Sequence, residues 1–449
     1  MRKIALLLVL ACAAGCSNRF PLFRPSRDVQ PRTVGVILPL SGPYQRVGES
    51  LLEGVRLGFK ASEVRLVVRD SKGEAAEAER AVESLVREEE AIALLGGVAQ
   101  DEAAAAAQRA EALGVPLLTF SKSDDATSAG NYVFRNMMTV REQGAAIGRY
   151  ATCQLGLKAF AWLGPDAEYA RELEEAFMTE ISEYGGGVAR KERYAAGQTT
   201  FTAEAKKLTG RFEPERRADY AAREREIVAQ EPDPFRRRKA LDKLKQSLTP
   251  QVDYDGLFVA DGWQAVSLIA PALAVEDLVT QGCDAEAMSR LSKAMGREPS
   301  RPVRLLGWGG WGSPVGKDGV PELLVRGGRH LQCATYVDGF FAGSERPATR
   351  RFVTAFRGAR GGETPGLLQA VGYDSAQIFR QIIERDAPPD SARFQNLLAS
   401  LRGFEGATGT TAFDGQRNAV KPLFVLEIGT GGIREQAGRK DCRPEWAGR

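Results

Sequence analysis

Apolar runs and helical patterns alternate along the chain, and this alternation constrains the fold more than any other feature of the sequence. Up to residue 120 the apolar runs are 34–38, 64–68, 91–95 and 115–120, and the helical patterns are 49–60, 75–89 and 101–113. Strands and helices in strict succession predict parallel strands joined by helical crossovers. We therefore expect an α/β fold in which ligands bind at the carboxyl ends of the strands.

A second unit with the same alternation follows. Helical patterns at 140–155 and 167–184 flank an apolar run at 159–163, and a triple glycine at 185–187 ends the second pattern. Further helical patterns are 201–208, 265–274, 346–356, 368–385 and 391–401, and further apolar runs are 257–260, 303–306, 332–336 and 421–428. At 449 residues and 43% hydrophobic content, the chain is long enough for two or three domains.

One segment, residues 211–248, departs from the alternation. It is dense in both signs of charge, and Pro232 and Pro234 divide it in the middle. Mixed charges at helical spacing predict two solvated helices around a turn. Two interpretations stay open: a surface hairpin without a role, and a docking surface for a partner.

The first residues predict export. Arg2 and Lys3 precede an apolar run at 4–11 that is too short to span a bilayer, and small residues then lead into Cys16. This layout resembles the bacterial lipobox, which implies a signal peptide at 1–15, lipidation of the Cys16 thiol and a tether at 16–32. Ser17 in the second mature position resembles the pattern of lipoproteins sorted to the outer membrane. We therefore expect a periplasmic protein anchored to a membrane by lipid.

The charge of the expected mature chain is close to zero. The formal net charge of the sequence is +3, and removing Arg2 and Lys3 with the signal peptide leaves +3 − 2 = +1. Proteins that bind nucleic acid usually carry a strong excess of basic residues. Nucleic acid is therefore not expected as a partner.

The cysteines predict disulfides but do not define their pairing. Of six cysteines, Cys12 would leave with the signal peptide and Cys16 would be acylated, so Cys153, Cys283, Cys333 and Cys442 would enter an oxidising compartment. One or two disulfides are expected, and a buried free thiol is an equal alternative for Cys153. No CxxC pair occurs, and we predict no metal site and no cofactor.

Residues suited to catalysis are sparse. His330 is the single histidine, and neither a Ser-His-Asp triad nor a metal site has visible partners for it, so we expect a solvent-facing or locally hydrogen-bonded side chain. The stretch GWGGWG at 307–312 has the spacing of a dinucleotide fingerprint, but no clean helix start or acidic ribose partner follows it. We interpret Trp308 and Trp311 as packing or contact aromatics and predict that the chain is not an enzyme.

Six stretches of the chain match a known family in order and spacing. They are TVGVILPLSGPYQRVGESLLEGVRLGF (33–59), VRDSKGEAAEAERAVESLV (68–86), ALLGG (93–97), LGVPLLTFSKSDDAT (113–127), NYVFRNMMTVREQGAAIGRYA (131–151) and GQTTFTAEAKKL (197–208). They resemble the type I periplasmic binding proteins of the Leu/Ile/Val-receptor kind, over about residues 33–433 without the charged segment. The resemblance implies two Rossmann-like lobes, joined by hinge strands, that close on a ligand as a Venus-flytrap clamp.

The same resemblance implies where each lobe begins and ends. Lobe one would comprise residues 33–138 and 337–412. Lobe two would comprise residues 139–336 and 413–435, with the charged segment 211–248 inserted in it. Residues 436–449 would form a tail.

The resemblance also implies a set of ligand-binding residues. They are Ser41, Ala99, Gln100, Ser121, Ser123, Asp124 and Asp125 in lobe one, and Tyr169, Trp263 and Gln264 in lobe two. Receptors for amino acids usually have hydroxyl side chains where Ala99 and Gln100 stand, and SPGAT in place of SKSDD at 121–125. Gln264 or its neighbour Trp263 stands about where an acidic residue meets the ligand's ammonium. Gln264 supplies no anion, which leaves Asp124 or Asp125 to balance that charge.

A second branch of the same superfamily resembles other parts of the chain. The lipobox, the charged segment before DYDGLFVADGWQAVSLIAPAL (253–273) and the pattern GTTAFDGQRNAVKPLFVLEIGTGGI (409–433) resemble the penicillin-binding-protein-activator lipoproteins. Two functions follow. One is a solute receptor that captures a small polar, amino-acid-like or peptide-like ligand for an ABC permease. The alternative is an envelope scaffold that binds a peptidoglycan synthase, with residues 211–248 as its docking surface.

Overall fold

The computed structural model describes residues 32–123, 125–282, 285–296, 299–316 and 319–436. Cys16, Asp124, Cys283 and Cys442 lie outside the described residues. So do the expected signal peptide and all but one residue each of the expected tether and tail.

Strands and helices alternate along the chain, as the sequence predicts. The strands are β1 (Thr33–Leu38), β2 (Arg65–Asp70), β3 (Ala93–Gly96), β4 (Leu117–Thr119), β5 (Val133–Arg135), β6 (Ala159–Pro165), β7 (Gly187–Tyr194), β8 (Gly256–Val259), β9 (Arg304–Gly307), β10 (Thr335–Asp338), β11 (Phe404–Gly406), β12 (Gly409–Phe413), β13 (Ala419–Val420), β14 (Phe424–Gly429) and β15 (Gly432–Glu435). The helices are α1 (Gln45–Gly58), α2 (Ala75–Arg87), α3 (Gln100–Leu113), α4 (Val140–Arg149), α5 (Glu168–Glu183), α6 (Thr202–Leu208), α7 (Ala218–Gln230), α8 (Pro234–Ser247), α9 (Trp263–Val275), α10 (Ala285–Met295), α11 (Glu322–Gly327), α12 (Pro347–Ala359), α13 (Leu367–Asp386) and α14 (Ser391–Ala399).

The first sheet is parallel and has the order β2-β1-β3-β4-β5. Every residue of β1, β3 and β4 is buried, because helices cover both faces of the sheet. One face packs on α1, α13 and α14, and the other packs on α2 and α3. This sheet and its helices form lobe one.

The second sheet has the order β15-β14-β10-β9-β8-β6-β7. Strands β6 to β10 run parallel, whereas β14 and β15 are antiparallel additions at one edge. One face is covered by α4 and α5 and the other by α6, α9 and α11. This sheet and its helices form lobe two, and the two-lobed α/β fold that the sequence predicts is present.

Lobe one is assembled from two distant parts of the sequence. Helix α13 lies against α1, and the two backbones approach so closely that only glycine fits at the contact. A Cβ added to Gly54 would lie 2.0 Å from the carbonyl oxygen of Gln369, and one added to Gly372 would lie 2.3 Å from that of Leu51. The contact fixes residues of the last third of the chain onto its first helix.

The chain crosses between the lobes at three places within the described residues. The crossings are residues 136–139 after β5, 339–346 after β10 and 421–423 after β13. Next to the last crossing, β11, β12 and β13 form a small antiparallel sheet. The exact lobe boundaries implied by the resemblance stay a prediction.

Residues 211–248 form a helical hairpin, as their charge pattern predicts. Helices α7 and α8 are joined by residues 231–233, and Asp233 caps α8 by accepting a hydrogen bond from the Arg236 amide at 2.8 Å. We call these two helices and their connection the hairpin arm.

The disulfide state of two cysteines excludes one of the alternatives left open by the sequence. Cys153 and Cys333 both take part in disulfides, so a buried free thiol at Cys153 is wrong. No helix in the described part of the chain is long and apolar enough to cross a membrane.

Candidate functional site

Most of the residues singled out in the sequence follow the carboxyl ends of the parallel strands. In lobe one, β1 leads to Ser41, β3 to Ala99 and Gln100, and β4 to Ser121, Ser123 and Asp125. In lobe two, β6 leads to Tyr169 and β8 to Trp263 and Gln264. Ligands of open α/β sheets bind at this edge.

Ser41 is held by an aspartate at the end of the neighbouring strand. Its Oγ donates to Asp70 Oδ2 at 2.7 Å, and the amides of Leu40 and Lys72 each donate to Asp70 Oδ1 at 2.8 Å. Burial acts to raise the pKa of Asp70, but the hydrogen bonds from Ser41, Lys72 and Leu40 outweigh it and lower the pKa. Because the Ser41 proton is used by an ionised Asp70, Ser41 presents acceptor lone pairs to a ligand.

The amide at the start of α3 already has a partner within the protein. The carboxylate of Glu102 is buried and accepts hydrogen bonds from Ser71 Oγ at 2.5 Å, from the Val98 amide at 3.2 Å and from the Ala99 amide at 3.0 Å. Ala99 therefore has no amide proton left for a ligand, and Gln100 beside it is exposed. Glu102 is not among the residues singled out in the sequence, although an acidic residue at the third helical position is a known capping signal.

The loop after β4 has a buried start and an exposed end. Ser121 is buried, and its Oγ accepts a hydrogen bond from the Ser123 amide at 3.2 Å. The Ser123 hydroxyl bonds the carboxylate of Asp125, which is itself exposed, and the Ser123 carbonyl accepts from Arg135 Nη1 at 2.5 Å. Lys122 is exposed between the two serines. Asp124, the other acid predicted here, lies outside the described residues.

Asp261 of lobe two lies two residues after β8 and has three hydrogen-bond donors. Its Oδ1 accepts from the Tyr169 hydroxyl at 3.0 Å and from the Gly262 amide at 2.6 Å, and its Oδ2 accepts from the Tyr194 hydroxyl at 2.7 Å. Burial, and then the negative charge of Asp261, raise the pKa of both tyrosines above the usual range. Both phenols therefore stay protonated and act as donors that fix the carboxylate.

An aromatic pair lies beside this carboxylate. The rings of Tyr169 and Trp308 stack with centroids 5.6 Å apart and planes inclined by 23°. Trp308 Nε1 also donates to the Asp261 carbonyl at 3.1 Å, whereas Trp311 is fully buried in the core of lobe two. The interpretation of both tryptophans as packing or contact aromatics is thus confirmed by these contacts.

The two remaining lobe-two residues singled out in the sequence do not join this cluster. The Trp263 ring lies 5.3 Å from the guanidinium carbon of Arg326, and Gln264 is exposed. Gln264 was expected about where an acid meets the ligand. The structure places an acid, Asp261, three residues earlier in the same turn.

The turn after β9 is shaped around two buried polar side chains. The Gly309 amide donates to Gln143 Oε1 at 2.9 Å, and a Cβ at Gly309 would lie 2.5 Å from that oxygen, so a side chain there would clash. A Cβ at Gly312 would lie 2.9 Å from the carboxylate of Asp338 at the end of β10. Burial raises the pKa of Asp338 to about 7, against the opposing effect of the Gly339 and Phe340 amides and the Lys122 charge.

A polar network connects the last crossing to lobe one. Lys421 Nζ donates to Thr408 Oγ1 at 2.8 Å, and that hydroxyl donates to the buried Asp374 at 2.6 Å. Burial lowers the pKa of Lys421 to about 8, although Asp374 and Glu142 act to raise it. A cavity of about 560 Å³ lies beside Lys421, and none of the strand-end residues described above lines it.

Other kinds of site find little support. The described residues contain no group of three or more histidine, cysteine, aspartate or glutamate side chains suited to a metal ion. His330 is half-buried, and its Nδ1 has no hydrogen-bond partner among the described residues, so the expectation of a solvent-facing or locally hydrogen-bonded histidine stays a prediction.

Comparison with known proteins identifies the family. The model of a periplasmic binding protein family matches residues 31–210 and 293–432, which is well over half of the chain. The chain belongs to this family. The resemblance to periplasmic binding proteins is therefore confirmed, and membership indicates a periplasmic location. No curated protein matches the chain.

Solved structures of family members show the same fold. A leucine binding protein, LivK, from Thermotoga maritima has 22% identity and a TM-score of 0.56, over 90% of this chain and 98% of that one. A putative branched-chain amino acid ABC transporter protein from Rhodospirillum rubrum has 20% identity and a TM-score of 0.68. The match covers 90% of this chain and 100% of that one. A solute binding protein from R. palustris (Rhodopseudomonas palustris), solved with benzoate, has 16% identity and a TM-score of 0.56. The match covers 90% of this chain and 95% of that one. These relatives are substrate-binding proteins; the penicillin-binding-protein-activator branch stays a prediction.

Proposed function

We propose that this chain is the substrate-binding component of an ABC-type transporter and captures a small polar, amino-acid-like ligand between its lobes. The observation that carries the proposal is the carboxylate of Asp261, held by the hydroxyls of Tyr169 and Tyr194 at the strand ends of lobe two. The serine loops of lobe one, at Ser41 and at Ser121 to Ser123, end at the corresponding edge of the other sheet.

A ligand's ammonium group needs a fixed anion when a closing cleft removes its water. Asp261 supplies that anion, and its two phenol donors hold the carboxylate in place before the ligand arrives, which reduces the ordering cost of binding. The stacked rings of Tyr169 and Trp308 offer an apolar surface for the ligand's side chain.

The ligand's carboxylate requires donors from lobe one. Lys122 is exposed in the loop after β4 and is near enough to Asp338 for its charge to act on that carboxyl. A cation in this place suits an amino acid and also an aromatic acid of the kind found in the R. palustris relative. The α-ammonium is what separates the two ligand classes, because only an amino acid uses Asp261.

The test is a thermal-unfolding screen of the protein against amino acids, short peptides, benzoates, sugars and muropeptides. A ligand at a hundred times its dissociation constant adds about 2.7 kcal/mol of stability. We expect an amino acid to raise the melting temperature of the wild type and the Asp386→Asn control, which lacks an exposed acid on α13, but not of Asp261→Asn. Stabilisation by a benzoate that survives Asp261→Asn would overturn the amino-acid assignment, and no shift with any compound would overturn the receptor function.

We further propose that the protein works without a cofactor or catalysis and is held by lipid at Cys16 on the outer membrane. Support comes from the lipobox-like sequence and from the family's periplasmic location. The alternative function, a scaffold for a peptidoglycan synthase, stays a prediction.

A further inference from the structure

The hairpin arm lies in a part of the chain that the family match does not cover, and its base is firmly attached. The family match stops at residue 210 and resumes at 293, so the arm lies outside it. At the base, Arg211 Nε donates to the Leu248 carbonyl at 2.8 Å, and Arg217 Nη2 donates to the Thr249 carbonyl at 3.0 Å. Tyr220, Leu244 and Leu248 form a small buried cluster there.

The opposite end of the arm, residues 235–239, is exposed and basic, and we call it the arm tip. Phe235 is 78% exposed, more than any other large apolar side chain in the described residues. It is followed by Arg236, Arg237, Arg238 and Lys239, of which all but the half-buried Arg237 are exposed. Within the described part of the chain, none of these four cations forms an ion pair with a carboxylate.

The four basic residues of the arm tip are consecutive in the sequence, and this spacing limits the shape of a partner that can contact all of them. Successive residues of an α-helix point about 100° apart, so four consecutive basic residues surround the helix instead of lining one side of it. A groove on a protein would contact one side of α8 and leave the other cations outside. A flat anionic surface that meets the end of the helix contacts all four together.

Neighbouring acids offset only part of this charge. Asp233 directs its carboxylate at the Arg236 amide of its own helix, and Glu231 is half-buried in the connection. Farther along α8, the negative charge of Asp242 is offset by the positive charge of Lys243, and Lys245 Nζ pairs with Glu215 Oε1 at 2.7 Å. The excess positive charge is therefore concentrated beside Phe235.

We propose that the arm tip binds the anionic phospholipid headgroups of a membrane, with Phe235 inserted between them. An exposed aromatic ring among basic residues is the combination that favours the interface of an anionic bilayer. The contact is separate from the ligand cleft and does not depend on the proposed transport function.

Vesicle co-sedimentation tests this contact. The protein from Ser17 to Arg449 contains every described residue and lacks the expected lipid. It should bind vesicles of phosphatidylcholine with 30% phosphatidylglycerol at least about tenfold more tightly than pure phosphatidylcholine. Binding should be lost in about 0.5 M salt, where the screening length falls from about 10 Å to about 4 Å.

Matched variants separate the arm tip from general surface charge. Replacing Arg236, Arg237 and Arg238 together by glutamine should weaken binding to the anionic vesicles at least about tenfold. Phe235→Ser should weaken it several-fold. The control replaces Arg87, Arg357 and Arg393, three exposed arginines of lobe one, by glutamine and removes the same charge.

Three results would overturn the proposal. They are equal binding to neutral and anionic vesicles, equal weakening by the control variant, and unchanged vesicle binding by an arm-tip variant that loses affinity for a purified peptidoglycan synthase. The last result would assign the arm to a protein partner instead.

Discussion

The Tyr194 hydroxyl donates a 2.7 Å hydrogen bond to the carboxylate of Asp261, from the end of a strand that lies two positions away in the sheet. Tyr194 is 5% exposed, so its hydroxyl has little access to water as an alternative partner. Tyr194→Phe should destabilise the protein by about 1 kcal/mol in urea unfolding and also weaken binding of the ligand found in the screen.

A second buried tyrosine provides the control for that prediction. The Tyr254 hydroxyl donates to the Leu208 carbonyl at 3.1 Å, and Tyr254 lies before the amino end of β8, whereas Asp261 follows its carboxyl end. Tyr254→Phe should cost a similar stability and leave ligand affinity unchanged. Equal losses of affinity in the two variants would mean that Tyr194 acts only through general stability.

Removing the buried carboxylate of Glu102 should destabilise lobe one. Glu102→Ala leaves the Ser71 hydroxyl and the Val98 and Ala99 amides without their acceptor, which should cost about 2–4 kcal/mol in urea unfolding. Glu79→Ala, on the exposed side of α2, should change stability by less than about 0.5 kcal/mol. A loss below about 1 kcal/mol at Glu102 would show that water replaces the carboxylate.

Two Gly→Ala substitutions in helices should have opposite signs. Gly54→Ala places a methyl group 2.0 Å from a backbone oxygen of α13 and should destabilise by about 1–3 kcal/mol. Gly358→Ala, in α12, meets nothing within 4 Å and should stabilise by about 0.5–1 kcal/mol. Thermal unfolding of both variants checks the pair, and the same sign in both would contradict the close contact of α1 with α13.

Asp338 should make stability depend on pH. Its folded-state pKa of about 7 lies above the ordinary value of 3.8, so between these values the folded protein holds a proton that the unfolded chain has released. The contribution is complete below about pH 4 and is lost as the pH rises through 7, by about 2–4 kcal/mol in total. Urea unfolding at pH 4.5 and 7.5 should show this loss in the wild type and in the exposed-site control Asp101→Asn, but not in Asp338→Asn.

The proposed lipid anchor can be tested with two cysteines, one as the test and one as its control. Cys16→Ala should release the protein from membranes in cell fractionation, whereas Cys12→Ala, within the expected signal peptide, should leave it attached. Membrane retention of Cys16→Ala would contradict lipidation.

The architecture could be predicted from the sequence because each long element carries its own periodic pattern. Most of the elements that were missed are short or irregular, although the 11-residue helix α10 was missed as well. Strand β5 has three residues, and β11 to β13 are rich in glycine and small residues that give no alternation. Such strands form because neighbouring strands and loops pair with them, which no local pattern reveals.

The site was harder to predict because its key contacts join distant residues. Ser41, Ser121 and Tyr169 could be located by the strands that precede them. The cluster around Asp261 could not be recognised, since its donors Tyr169 and Tyr194 lie 92 and 67 residues away in the sequence. Glu102 was hidden because the residue before its helix is alanine, which lacks the hydroxyl of a normal capping pair.

The contact of α1 with α13 also bears on how the protein matures. Leu51 and Val55 of α1 belong to the same core as Ile378 and Phe379 of α13, more than 300 positions later. Long-range pairing of this kind slows folding, because a large loop must close before its contacts form. Lobe one therefore cannot close its core until residues as far as α13 are available, so an incomplete chain exposes apolar surface that is open to aggregation.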